Sequence, residues 1–438
     1  MRSWVETSLD DLIAHIMDNR FSRLFNLTEA QAIEILDSPE KDSETSSNRY
    51  IAASHLMNFD SEAAIASLIR AVQNDDPDLD NRIVRRKALE SLGRLKVKAA
   101  LPLIDSCLVD EDKYLVENAA WAMGEIGTDD KALLKKLTRQ LERPEQSYRT
   151  IIQALATLGY RPAVDKIKPF TTSDQAPIAS AALTAIYRLT GDEGAIAQVL
   201  KFLQSTNVNA RRGSIQDLMD ANYYQVIPQI ASCPVSCVFR LRGIKQLAKS
   251  AIDAQKLTFD QVQAPLEKVI RDHPEDIALI HSYDRDPTVS ELVKALYGTD
   301  FGQCYLAAKT LLDHHAEAAP AELMSSYKAE GYNDYGAHYH IMRMFGWLKV
   351  SKSYNLLIEA LNNKAPQFQK SRMAAAIALG ELADPQAISP LTSALSVPIW
   401  DLQYAALMTL SKLGETNLGQ HFDVEKTDWL VQEKLNTL

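Results

Sequence analysis

Two stretches of this sequence carry residue types that could bind a ligand or move a proton. The first is YLVENAAWAMGEIG, residues 114–127. Tyr114, Glu117, Asn118, Trp121 and Glu125 recur at intervals of three and four, which aligns them along one face of a helix. Ala119, Ala120, Ala122 and Gly124 are small, as they must be where a helix approaches a neighbour closely. An amphipathic helix normally turns an indole inward, yet Trp121 shares its face with Glu and Asn. Rings beside charged groups suit a flat apolar ligand that carries anionic substituents. The second stretch is GYNDYGAHYH, residues 331–340. Asn, Asp and Gly account for a turn there, but not for Tyr332, Tyr335, Tyr339, His338 and His340 gathered about Asp334. A carboxylate among tyrosines can hold a protonated nitrogen or hand over a proton. Asp334 and Tyr335 are therefore the candidate acid–base residues. HSYDRD, residues 281–286, is a weaker version of the same pattern through Tyr283 and Asp284.

Plainer readings stand beside these. A Trp on a repeat usually packs against the next repeat, and a single exposed Arg usually offsets a neighbouring acid. No P-loop, GxGxxG after a strand, HExxH or GxSxG is present. His314 and His315 are adjacent, and His338 and His340 are two apart, so neither pair shares a helix face as metal ligands would. The CPVSC segment with Cys233 and Cys237 has no second pair nearby, so no metal is expected. Four cysteines in 438 residues are no disulfide framework. The net charge of -10 disfavours general binding of nucleic acid. No apolar run reaches the roughly 18 residues of a membrane span, and MRSWVETSLDDLIAHIMDNR lacks the apolar core of a signal peptide. A cytoplasmic protein without membrane insertion is expected.

The elements that must position these residues follow from internal repetition. RRKALESLGRL (85–95), ENAAWAMGEIG (117–127), IIQALATLGY (151–160) and SAALTAIYRLTG (180–191) are variants of one Ala-rich segment. Weaker copies lie at 211 and 240, and stronger ones return as HIMRMFGWL, MAAAIALGEL and LMTLSKLGE. Gly346, Gly380 and Gly414 are 34 residues apart each time. A second amphipathic stretch lies between successive copies, so each unit is a helix pair. The predicted fold is an all-α solenoid of HEAT-like, Armadillo-type two-helix repeats, curved with a concave groove. Its expected parts are a helical cap with a polar loop at 1–48, repeats over 49–270, an irregular helical segment at 271–334, repeats over 335–418 and a capping helix at 419–438. In that last helix Trp429 and Leu430 are expected to pack inward. Aligning the copies on their Gly directs Arg86, Lys87, Glu90 and Arg94 into the groove, and likewise Tyr339, His340, Arg343 and Trp347. Arg212, Gln216, Arg242 and Lys245 fall at comparable places in the weaker copies. An acidic protein is thus expected to line its groove with arginines and rings.

YLVENAAW with GEIG, followed by further Ala-Leu-Gly repeats, resembles the HEAT-like repeats of the E/F-type phycobilin lyases of cyanobacteria, over about residues 49–415. The single-chain length is most similar to the branch that serves phycoerythrin. The resemblance implies attachment of a linear tetrapyrrole, phycoerythrobilin first, by a thioether to a cysteine of a phycoerythrin apo-subunit, with the alpha subunit as the expected partner. Some members of the branch also isomerise the bilin to phycourobilin, and the residues leave lyase and lyase-isomerase open. The bilin would be a substrate, with no tightly bound cofactor. Its two propionates call for basic groups, its conjugated chain for aromatic walls and its nitrogens for a carboxylate. On this reading Arg86, Tyr114, Glu117, Asn118, Trp121, Glu125, Arg212, Arg242, Tyr339, His340, Arg343 and Trp347 bind bilin, while Asp334 or Tyr335 supplies the proton. The attacking thiol would be the client's. The alternative is a non-catalytic HEAT-repeat adaptor that binds phycobiliproteins during assembly or breakdown of the antenna.

Overall fold

The computed structural model describes residues 27–39, 43–423 and 425–438. Most of the expected N-terminal helical stretch, residues 1–26, lies outside the described residues. Every regular element among the described residues is helical, and successive helix pairs form a HEAT-like array. The chain divides into two compact units, 1–195 and 196–438.

In the first unit one row of helices, Ser43–His55, Leu79–Arg94, Lys113–Ile126, Tyr148–Thr157 and Ala176–Thr190, stacks each on the next. A second row, Glu62–Gln73, Leu101–Cys107 and Lys131–Arg139, packs each against the helix that follows it. Part of the polar loop expected before residue 48 is helical, since Ser43–His55 is one continuous helix. Asp78, Asp112 and Asp130 start their helices by accepting backbone N–H groups from the first turn. Where Leu79–Arg94 meets Lys113–Ile126, a Cβ on Gly93 would lie 2.8 Å from the Ala122 Cβ and 2.9 Å from the Trp121 ring. Only glycine permits that approach.

The glycines aligned by sequence turn out to do two different jobs. Gly93, Gly124, Gly346 and Gly380 lie inside helices and press on a neighbour. Gly159, Gly191 and Gly414 lie in the turn that follows, with φ of +64°, +80° and +91°. The equivalent turn residues after the first group come three positions later, at Lys96, Gly127, Lys349 and Ala383, all with positive φ. On this corrected register the turns Lys96, Gly127, Gly159, Gly191, Asn222 and Gln255 are 31 to 33 residues apart.

In the second unit Tyr335–Trp347, Gln369–Leu382 and Trp400–Lys412 lie side by side, and Trp429–Asn436 packs on the last of them. Cys237–Asp253 packs on Phe259–Arg271, which in turn contacts Gln369–Leu382. Helices from well-separated parts of the sequence thereby come together. The segment 271–334 contains Val289–Ala295, Phe301–His314 and Ala319–Ser326, then a π-helical turn at Tyr327–Gly331. It is held by a buried polar cluster. Asp272 accepts hydrogen bonds from Arg240, from Tyr339 and, at 2.8 Å, from the Tyr305 hydroxyl. Arg343 donates to Tyr339 Oη at 3.3 Å and to the Ile270 carbonyl at 2.7 Å. Two guanidiniums and one carboxylate so deep in the protein are tolerable because nearly every polar atom is bonded.

Candidate functional site

A cavity of about 530 Å³ in the second unit gathers the chemistry that the sequence suggested elsewhere. One wall is Cys237–Asp253, which contributes Val238, Arg242, Lys245 and Lys249. The other is made of helix starts: Gln369, Trp400 with Asp401, and Trp429. Both indoles are half-exposed. The Lys245 ammonium lies 4.5 Å from the centre of the Trp400 ring and pairs with Asp428, the cap of the Trp429 helix. Lys249 lies 5.9 Å from the Trp429 ring and is bound to Asp253 at 2.7 Å. Arg242 is exposed and has no ion-pair or hydrogen-bond partner among the described residues. Helices beginning at Cys237, Gln369 and Trp400 all lack a side-chain cap, so first-turn N–H groups add positive potential beside the cavity.

Asp401 is the cavity's acid. Burial pushes its carboxyl above the ordinary value, opposed by the Leu402 N–H at 3.0 Å and by the charges of Lys245 and Arg372. A carboxyl raised in this way is a proton donor at a pH where a free one is not. The cavity thus has two flat walls, a free guanidinium and a carboxyl raised by burial. Apolar space with a few convergent polar groups is the usual form of a small-molecule site.

In the first unit Trp121 is half-exposed and Tyr114 is 51% exposed, on the same face of Lys113–Ile126 as Glu117 and Asn118, both half-buried, and the exposed Glu125. Arg86 stacks 4.8 Å from the Tyr114 ring and grips Asp112 with two hydrogen bonds of 2.7 and 2.8 Å. Arg94 lies 5.4 Å from the Trp121 ring and is tied to Glu90, which also holds Lys87. Glu117 accepts from Ser147 at 2.7 Å and from Thr150 at 3.0 Å.

Other sequence-derived positions settle differently. Tyr339, His340 and Arg343 do not face a groove: they are buried, because the Asp272 cluster and Phe301–His314 cover that face of their helix. Trp347 is half-exposed, with the His273 ring edge-on at 5.2 Å. Asp334 caps Tyr335–Trp347, one oxygen accepting from the Gly336 and Ala337 N–H groups at 2.9 and 2.7 Å. Tyr335, 60% exposed, lies beside Lys370. Arg212 donates to the Thr299 carbonyl at 3.0 Å and stacks 5.3 Å from Phe239. Of these positions only Arg242 lines the cavity, together with Lys245, which the same alignment had placed at a groove position. Trp429 lines it too, rather than packing inward, while its neighbour Leu430 is fully buried.

Sequence reasoning passed over Trp400, Asp401 and Lys249. The first two fall in the opening turn of a helix, upstream of the Ala-Gly segment used for alignment. A ring directly after a capping acid marks three helix starts, Asp300-Phe301, Asp334-Tyr335 and Asp428-Trp429, but Trp400 follows Ile399, so that signal does not find it. All four thiols are buried, and burial pushes Cys233 and Cys304 up to about 12 and raises Cys107 and Cys237 as well. None is a ready nucleophile.

Residues 78–156 and 354–431 match the HEAT repeats family. The chain is 54% identical to "Uncharacterized phycocyanin operon protein Y" of Pseudanabaena tenuis (strain PCC 7409), over 96% of this chain and 100% of that protein. It is 33% identical to "Bilin biosynthesis protein CpeY" of Synechococcus sp. (strain WH8020), over 87% of this chain and 92% of the relative. Among solved structures, the complex of CpcE and CpcF of phycocyanin lyase from Nostoc sp. PCC7120 aligns with 27% identity and a TM-score of 0.48, over 56% of this chain and 95% of the matched one.

Proposed function

The chain belongs to the E/F-type phycobilin lyase family, and from that premise we propose that it attaches a linear tetrapyrrole, phycoerythrobilin, to a cysteine of a phycoerythrin subunit, the alpha subunit first. The tetrapyrrole lies in the cavity between Trp400, Trp429 and the helix Cys237–Asp253. The observation that carries this reading is the unpaired Arg242 beside two half-exposed indoles and a carboxyl raised by burial. The indoles take the conjugated chain and Arg242 a propionate.

The reaction is an addition. The client's sulfur forms a C–S bond at the exocyclic double bond, the thiol loses its proton, and a proton is delivered to the conjugated system. The enzyme's share is to hold the bilin extended against the client thiol and to supply that proton. With every thiol of this chain buried, the nucleophile falls to the client. Two carboxyls compete to be the donor. One oxygen of Asp334 is already taken up with two backbone N–H groups, whereas Asp401 lines the cavity, and we assign the role to Asp401. Isomerisation to phycourobilin would further need one proton removed from a carbon of the chromophore and one returned at another, moving a double bond.

Co-expression with bilin-synthesis enzymes and single antenna subunits tests the reading. Chromophore should be mapped on a client cysteine, and its absorbance distinguishes phycoerythrobilin from phycourobilin. Asp401→Asn should lower transfer about 100-fold or more with bilin still bound; the same loss in Asp334→Asn, with Asp401→Asn active, would move the role to Asp334. An unmodified client in every pairing would overturn the lyase reading.

A further inference from the structure

Lys370 is a cation with no salt bridge among the described residues, only the more distant pull of the Asp334 and Asp272 carboxylates. It stands in the first turn of Gln369–Leu382, half-buried, with Nζ 4.6 Å from the centre of the Phe301 ring, 5.2 Å from Tyr339 and 5.7 Å from Tyr335. Among the described residues it has no hydrogen-bond or ion-pair partner. Its position adds to the difficulty. A helix start is the positive end of the dipole, and here the preceding 3-10 turn takes the Gln369 N–H on the Pro366 carbonyl while Phe368 offers no side-chain oxygen to the next ones. Burial accordingly pushes the ammonium below its ordinary value. Rings alone stabilise a cation only weakly. Next to the same Phe301 ring, 4.6 Å away, is the imidazole of His340, which is 1% exposed and has no partner at either nitrogen. Tyr335, the outermost ring of the three, is 60% exposed.

Lys370 and, across the Phe301 ring, His340 therefore both lack an acceptor, and Lys370 stands one residue along the helix from Gln369, which lines the cavity. We infer that Lys370 holds a carboxylate of the bound ligand: on the reading above, one propionate of the tetrapyrrole, the other being held by Arg242. A carboxylate there neutralises the ammonium, accepts from the uncapped helix start and gives the histidine N–H a nearby acceptor. Lys370 is thus a binding and positioning residue, fixing how far the chromophore slides along the indoles before the client thiol arrives.

The experiment titrates the full chain with phycoerythrobilin and with its dimethyl ester, following visible absorbance. The wild type should bind the free acid about tenfold or more tightly than the ester. Lys370→Met should lose about that factor for the acid and leave the ester unchanged, and Lys370→Arg should restore most of it. Equal weakening of acid and ester in Lys370→Met, or no weakening, overturns the subsite. A wild type that binds both forms alike overturns it even if the Met variant fails to fold. A wild type that binds neither form overturns the reading of the cavity itself.

Discussion

On the Trp121 face, the arginines that lean on rings already have acids: Arg86 has Asp112 and Arg94 has Glu90. In the cavity of the second unit Lys245 and Lys249 are likewise paired, but Arg242 on its wall and Lys370 beside it are not. Ring-plus-cation pairs at helical spacing therefore occur in both units. What separates them is the unspent charge. A stacked, bidentate arginine is satisfied as it stands, and a ligand would have to displace its acid before using it. An unpaired cation at an uncapped helix start has an acceptor to gain.

Asp272→Ala strands two buried guanidiniums and should destabilise the second unit by about 3–5 kcal/mol. In denaturant unfolding the transition of residues 196–438 should move while that of the first unit stays; a common shift would deny the units their independence. Next is acid. Burial holds the His338 imidazole down to about 4, from an ordinary 6.5. An unfolded chain takes up that proton near pH 6.5 and the folded one refuses it until about pH 4. His338 should thus take roughly 3 kcal/mol from the second unit's stability as pH drops through that window, and the buried His340 imidazole, pushed down further still, adds to the fall. His338→Phe should flatten the curve, and a stability profile identical to the wild type's would count against the burial argument. Trp400→Ala should weaken bilin binding about tenfold or more, against a change of less than threefold for Trp121→Ala; the reverse order in an absorbance titration would return the site to the first unit. Smallest of all, Arg94→Ala should cost less than about 1 kcal/mol of stability, because its pair with Glu90 is exposed.

The repeat architecture was legible because it is written in small residues, which must recur wherever helices cross. The relation of Trp121 to Tyr114 was legible too, since helical periodicity decides which side chains share a face. Periodicity does not decide what covers that face. Tyr339, His340 and Arg343 were assigned to a groove by the same rule, and the acid that buries them, Asp272, sits in a turn 67 residues from Tyr339. Glycine alignment misled in a second respect. Treating Gly159 and Gly414 as equivalents of Gly124 and Gly380 merged a turn position with a packing position, and drew the eye from the opening turns where Trp400 and Trp429 lie. The cavity itself depends on helices more than a hundred residues apart, which no local pattern records.

The Asp272 cluster has a bearing on how the second unit comes into being. Repeat arrays ordinarily grow by nearest-neighbour addition, each pair of helices ordering on the one before. Here a single carboxylate is completed by groups 32, 33 and 67 residues away. Until Tyr339 arrives, Arg240 and Asp272 cannot be sealed from water in their final arrangement, so the stretch from 237 to 347 must order in one cooperative event. Loop closure on that scale makes for a slower and sharper transition than a stack of local pairs. The first unit can zip; the second has to lock.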